Sequence, residues 1–325
     1  MVVDTLRRFT GIAALSISFL QGCGAESNVA APAAAVSLAS FAPGAPDGAQ
    51  FPGKWLYTAQ LYGEDLTVYR RDGLSLTYVE TLKAGLSSPQ GTVTTPGGWW
   101  YVANGGHSNV LVYRSTHNGP RGPVNTLDDY GQIPSNVDVT PSRRLVAVSN
   151  VSTGSGGGGS VSVYLDRQTE PARTLTYGNR SLQGTGVAID HRGDCYWSFN
   201  DPATASGAVV EFTRCNGKGR LVVPAIAHSA GLAFDQRDDL YYVDQGGAYS
   251  GIYKCKRTSK CALFATGFGL PVNINFDLKH KYLWVADATG YIDAVDPKSG
   301  KIVFSTQSFG GSSDPPFGIA PAPGG

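Results

Sequence analysis

Oxygen-bearing side chains recur along this chain at one place in a repeated pattern. Six short runs of strand-forming residues each end in a polar side chain: Leu56-Tyr57-Thr58-Ala59-Gln60, Trp100-Tyr101-Val102-Ala103-Asn104, Val146-Ala147-Val148-Ser149-Asn150, Tyr196-Trp197-Ser198-Phe199-Asn200, Leu240-Tyr241-Tyr242-Val243-Asp244 and Leu283-Trp284-Val285-Ala286-Asp287. A ring of amide and carboxylate oxygens of this kind can hold Ca2+ or orient a polar ligand. Asn and Asp at a strand end can equally cap the adjoining turn through its backbone. Two further amides, Asn136 and Asn273, fall in the segments that precede two of these runs. Of the five His, His228 and His107 fall in loops on the same side as the ring, and a His beside a carboxylate can act as a general base. No Ser-His-Asp arrangement, Gly-x-Ser-x-Gly elbow or zinc spacing of Cys and His accompanies them. Ser155-Gly156-Gly157-Gly158-Gly159-Ser160 lacks the Lys and the helix of a phosphate loop and reads as a flexible flap.

The elements that position these residues follow from their spacing. The closing polar residues lie 44, 46, 50, 44 and 43 positions apart, a period that signals a propeller or a solenoid. Each run is followed by a loop and a second strand, such as Val110-Leu111-Val112-Tyr113 or Val161-Ser162-Val163-Tyr164. Each is preceded by an inner segment opened by Pro, Asn or Gly, such as Pro89-Gln90-Gly91 or Gly184-Thr185-Gly186. The sixth inner segment, Pro316-Phe317-Gly318, lies at the C-terminal end while its partner run begins at Leu56. The expectation is an all-β, six-bladed propeller of four-stranded antiparallel blades, closed by the C-terminal strand pairing with the first blade.

This combination of inner strand, Tyr-Val-Ala-Asn/Asp strand and Val-x-Val-Tyr strand resembles the NHL and YVTN propeller families and, more distantly, the regucalcin/gluconolactonase family. The last resemblance implies a metal held at the channel mouth by a Glu, two Asn and an Asp. Asn136 and Asn273 are similar to such Asn positions, but no inner strand opens with Glu, and Ser229-Ala230-Gly231 stands where an Asp is wanted. The first expectation is therefore a non-catalytic module whose top face binds a protein, peptide or glycan, with Asn136, Asn273, Asp244, Asp287, Asn104, Asn200 and His228 as candidate ligand or metal contacts. The alternative is a Ca2+-dependent lactonase-like hydrolase or lyase at the channel mouth.

Arg7 and Arg8 precede a short apolar stretch, Ile12 to Leu20, that ends in Leu20-Gln21-Gly22-Cys23. That tetrapeptide resembles the lipobox of bacterial lipoproteins, and the resemblance implies removal of residues 1–22 and acylation of Cys23. Residues 23–53, rich in Ala, Pro, Ser and Gly, read as a lipid-anchored tether, and 54–325 as the propeller. The implied location is the cell envelope, in the periplasm or at the outer membrane of a two-membrane cell. In an exported chain the four other Cys are expected as two clips, Cys195 to Cys215 and Cys255 to Cys261.

A formal net charge of +1 over 325 residues points away from nucleic acid. Phasing the repeats nevertheless separates the charges. Most Lys and Arg fall in turns on the bottom, where the tether enters, whereas Glu64, Asp65, Asp128, Asp129, Asp201, Asp244, Asp287 and Asp314 fall on top. The basic bottom is expected to face anionic lipid headgroups. With no open sheet edge, the propeller is expected to be a monomer.

Overall fold

The computed structural model describes residues 55–178, 181–246 and 250–322; the signal-peptide, Cys23 and tether assignments lie outside them. Six four-stranded antiparallel sheets are present. From inside outward (strands a to d), blade one is Pro316–Pro321, Trp55–Gln60, Asp65–Asp72 and Ser75–Leu82, and blade two is Pro89–Thr94, Trp99–Asn104, Asn109–Thr116 and Gly119–Asp128. Blade three is Gln132–Val139, Leu145–Thr153, Gly158–Leu165 and Arg173–Leu175, and blade four is Gln183–Ile189, Cys195–Asp201, Ser206–Phe212 and Arg220–Ile226. Blade five is Ser229–Phe234, Leu240–Asp244, Gly251–Lys256 and Ser259–Ala265, and blade six is Pro271–Phe276, Leu283–Asp287, Tyr291–Val295 and Ile302–Gln307.

Closure is made by the C-terminal strand, with Leu56 opposite Pro321, Tyr57 opposite Ala320 and Thr58 opposite Ile319. The b strands lack the in-out alternation of a half-exposed sheet because both of their faces are covered. All six residues of Trp55–Gln60 are buried, as are all seven of Cys195–Asp201. The apolar side chains form six clusters, each shared by two neighbouring blades. Between blades one and two, Tyr57 stacks on Trp100 with ring centroids 4.1 Å apart, and Trp100 meets Tyr113 at 4.9 Å. Such aromatic pairs add about 0.5–1.5 kcal/mol beyond the area they bury.

Strand register also accounts for the cysteines. Cys255 lies opposite Cys261 across strands c and d of blade five and is bonded to it. Cys195 opens strand b of blade four, pairs with Phe212 and is bonded to Cys215 just beyond the end of strand c. The glycine flap of blade three is shorter than its composition implies. Strands b and c run on to Thr153 and from Gly158, so only residues 154–157 form the turn, held by Gly157 N–H donating to Thr153 Oγ1 at 2.6 Å.

Candidate functional site on the top face

Because b strands climb toward the top, their terminal oxygens meet the loops that descend into the inner strands. Asn104 accepts from Ser87 N–H at 2.7 Å and donates to Gly85 O at 3.0 Å. Asn200 accepts from Ser229 N–H at 2.8 Å. Asp244 accepts from Ala227, His228 and Gly246 N–H at 3.2, 3.0 and 2.9 Å, and Asp287 accepts from Gly269, Leu270 and Thr289 N–H at 2.6, 2.9 and 2.8 Å. In these blades the ring residues are caps that pin the top loops.

Asn136 and Asn273 sit on the inner strands of blades three and six, three blades apart around the ring. Asn273 Oδ1 accepts from Ile319 N–H at 3.2 Å. Inner strands approach so closely here that a Cβ on Gly91 would lie 2.6 Å from the Asn136 Cα, and one on Gly231 would lie 2.9 Å from the Asn273 Cα. The two amides are therefore wedged against neighbouring backbone.

Three of the predicted residues do come together. Asn200 Nδ2 lies 3.4 Å from His228 Nε2, and His228 N–H donates to Asp244. Burial lowers the His228 pKa against the opposing pull of Asp244, so the imidazole is neutral at pH 7. Hydroxyls line the same junction of blades four and five: Thr185 Oγ1 is 3.1 Å from both Ser198 Oγ and Ser229 Oγ. Among the described residues no three or more His, Cys, Asp or Glu side chains are grouped to hold a metal ion.

Blade one presents a different surface. Tyr62, 51% exposed, meets Phe317 edge-on with centroids 5.7 Å apart. Asp314 bonds the neighbouring Gly63 N–H at 2.8 Å, Lys83 lies 3.6 Å from Asp65, and Glu64 accepts from Ser87 Oγ at 3.1 Å. Burial, with Asp314 nearby, raises the Asp65 pKa. Phe309, 60% exposed, stacks on Tyr78 at 3.9 Å. Exposed aromatics interleaved with carboxylates make a surface for ligands that combine apolar and cationic groups. The b-to-c loop and the loop entering strand a bring these residues together across 251 positions of sequence, so the repeat pattern alone does not pair them. Asp138 was likewise not singled out. It stands between Val137 and Val139 on an inner strand, its carboxylate accepts from Ile189 N–H at 2.6 Å and Val139 N–H at 2.8 Å, and desolvation nevertheless pushes its pKa up to about 7. The sequence signal was an acid inside an apolar inner strand.

The fold defines a six-bladed propeller. Its solved structural neighbours include a putative 6-phosphogluconolactonase from Bacteroides uniformis ATCC 8492, with a TM-score of 0.56 and 13% identity over 82% of this chain and 99% of that one. A putative 6-phosphogluconolactonase from Bacteroides fragilis NCTC 9343 aligns with a TM-score of 0.55 and 12% identity over 82% of this chain and 97% of that one. A functionally unknown protein from Desulfotomaculum acetoxidans DSM 771 aligns at 0.52 with 14% identity, over 78% and 80%. At these identities the likeness concerns the fold. No family model and no curated protein matches the chain.

Proposed function

We propose that this chain is an extracytoplasmic lipoprotein, acylated at Cys23, whose propeller is a non-catalytic binding module using its top face. The observation that carries this reading is the exposed Tyr62, set edge-on to Phe317 beside the exposed Glu64 and the half-buried Asp314 on blade one. The ligand that fits is a polypeptide segment carrying Lys or Arg among apolar residues. The aromatic faces take its side-chain stems and the carboxylates its charge. Panning a displayed peptide library and a glycan array against residues 24–325 tests this. Enrichment of basic-aromatic peptides supports it; enrichment of uncharged glycans alone, or of neither, contradicts it. Labelling with a fatty-acid analogue in the wild type and Cys23→Ser tests the anchor separately.

A second reading, a lactonase-like hydrolase at the channel mouth with Ca2+, is favoured by His228, which stands beside Asn200 and Asp244 at the top strand ends of blades four and five. It is also the activity in the names of two structural neighbours. Hydrolysis of sugar lactones with Ca2+ present, lost in His228→Gln, supports this reading over the first.

A further inference from the structure

The bottom turns of blades four and five are built alike. In each, an Asp opens the a-to-b turn and folds it back. Asp190 accepts from Arg192 and Asp194 N–H, both at 2.9 Å, and Asp235 accepts from Arg237 and Asp239 N–H at 2.9 and 3.0 Å. The second Asp of each turn then fastens the neighbouring c-to-d turn, Asp194 taking Arg214 N–H at 2.7 Å and Asp239 taking Arg257 N–H at 3.3 Å. A disulfide pins each of those c-to-d turns: Cys255–Cys261 closes the one in blade five, and Cys195–Cys215 ties the one in blade four to the start of strand b. The clamp holds non-glycine residues at positive φ: Arg214, Arg257, Thr258 and Lys260 lie at 51°, 46°, 66° and 50°. Unassisted turns avoid that conformation.

The same lattice uses up the acids. Arg192 pairs with Asp190 at 2.8 Å and Asp194 at 3.3 Å, Lys254 with Asp235 at 3.2 Å and Asp239 at 3.1 Å, His191 with Asp238 at 2.7 Å, and Arg220 with Glu211. Arg214, Lys218, Arg237, Lys256, Arg257 and Lys260 are exposed and have no carboxylate within ion-pair distance among the described residues. They stand on turns whose backbone is pinned by Asp side chains and disulfides, so engaging an anionic surface costs little loop entropy.

We propose that this disulfide-locked double turn is a preorganised cationic platform that seats the propeller on anionic phospholipid headgroups. The proposal rests on the lipid-anchored reading. Strand b of blade one begins at Trp55 on the same bottom face, so the chain enters the propeller on the side that carries the platform.

The experiment is co-sedimentation of residues 24–325 with vesicles of phosphatidylcholine alone or with phosphatidylglycerol, which requires no acylation and so fails or succeeds independently of the anchor. Binding is expected only with the anionic lipid and weakens as salt is raised. Each headgroup-facing cation strengthens partitioning about fivefold, so Lys256→Ser/Arg257→Ser/Lys260→Ser is expected to lose about 100-fold. Arg70→Ser/Lys298→Ser/Lys301→Ser, on blades one and six of the same face, is expected to lose less than fivefold. Cys255→Ser/Cys261→Ser keeps every charge and is expected to weaken binding several-fold while circular dichroism stays unchanged. Equal losses in both triple variants, binding to neutral vesicles, or binding to soluble heparin but to no vesicle would each overturn the proposal.

Discussion

Replacing Asp129 with Asn should stabilise the protein at alkaline pH. Asp129 is 0% exposed, and only one of its oxygens is satisfied, by Ser162 Oγ at 2.5 Å. Its Oδ2 has no partner, and among the described residues no cation stands within ion-pair distance of it. A hydroxyl has one hydrogen, and that of Ser162 goes to the carboxylate. Asn150, which also touches Ser162 at 3.0 Å, must therefore present its NH2 there, which leaves the Asn150 Oδ1 unpartnered as well. Burial pushes the Asp129 pKa from 3.8 up to about 6, against the hydrogen bond from Ser162. A raised acid means that the folded state binds more protons than the unfolded chain between these two values, so stability falls as pH rises through that window. A shift of about two units corresponds to an upper bound of about 3 kcal/mol. An Asn at position 129 carries no charge to desolvate, accepts from Ser162 and offers N–H groups to the neighbouring orphan oxygen. Urea melts at pH 3 and pH 8 compare the two proteins, and the difference between them cancels the contributions of all other titrating groups. The variant should match the wild type within about 0.5 kcal/mol at pH 3, below both values, and exceed it by about 1–3 kcal/mol at pH 8. A variant less stable at pH 8 would refute the reasoning, because the carboxylate would then be a favourable buried charge with a partner.

Other outcomes follow from the same structure. Gly231→Val places a side chain where a Cβ alone would lie 2.9 Å from the Asn273 Cα; it should cost more than 3 kcal/mol in denaturant melts, with Gly217→Val, where nothing lies within 4 Å but φ is positive, costing about 1–2 kcal/mol. Trp100→Ala removes a fully buried ring stacked on Tyr57 and should lower stability by about 3–5 kcal/mol, read by the same melts. Reducing agent should lower the midpoint of thermal unfolding by removing clips that close loops of 20 and 6 residues. Cys195→Ser/Cys215→Ser should account for more of that loss than Cys255→Ser/Cys261→Ser, because the longer loop restricts the unfolded chain more.

The architecture was legible because each blade repeats a local pattern. A strand ending in Ala-Asn or Val-Asp, a turn and a Val-x-Val-Tyr strand mark their own positions, and register alone brings Cys255 opposite Cys261. The capping role of Asn104, Asp244 and Asp287 was likewise visible as a property of strand ends. Function-bearing neighbourhoods were less legible, since they depend on where long loops travel. Asp314 reaches Gly63 only once the ring has closed, and the distance between Asn136 and Asn273 is set by the number of blades between them. Strand d of blade three, reduced to Arg173–Leu175, carries too few residues to show any alternation. Asp138 was obscured for the opposite reason: its segment reads as a core strand, and only desolvation by its surroundings gives the carboxyl an unusual affinity for protons.

The claim that the top of blade one is a binding surface is tested most directly by isothermal titration of a library-selected basic-aromatic peptide into the wild type and into Tyr62→Ala/Asp314→Asn. An exposed aromatic anchor and a carboxylate together account for more than 1 kcal/mol at such interfaces, so the double variant should bind at least about fivefold more weakly while its unfolding midpoint stays within a few degrees. Equal affinity in the two proteins, or loss of affinity on altering the bottom-face cations instead, would contradict the account.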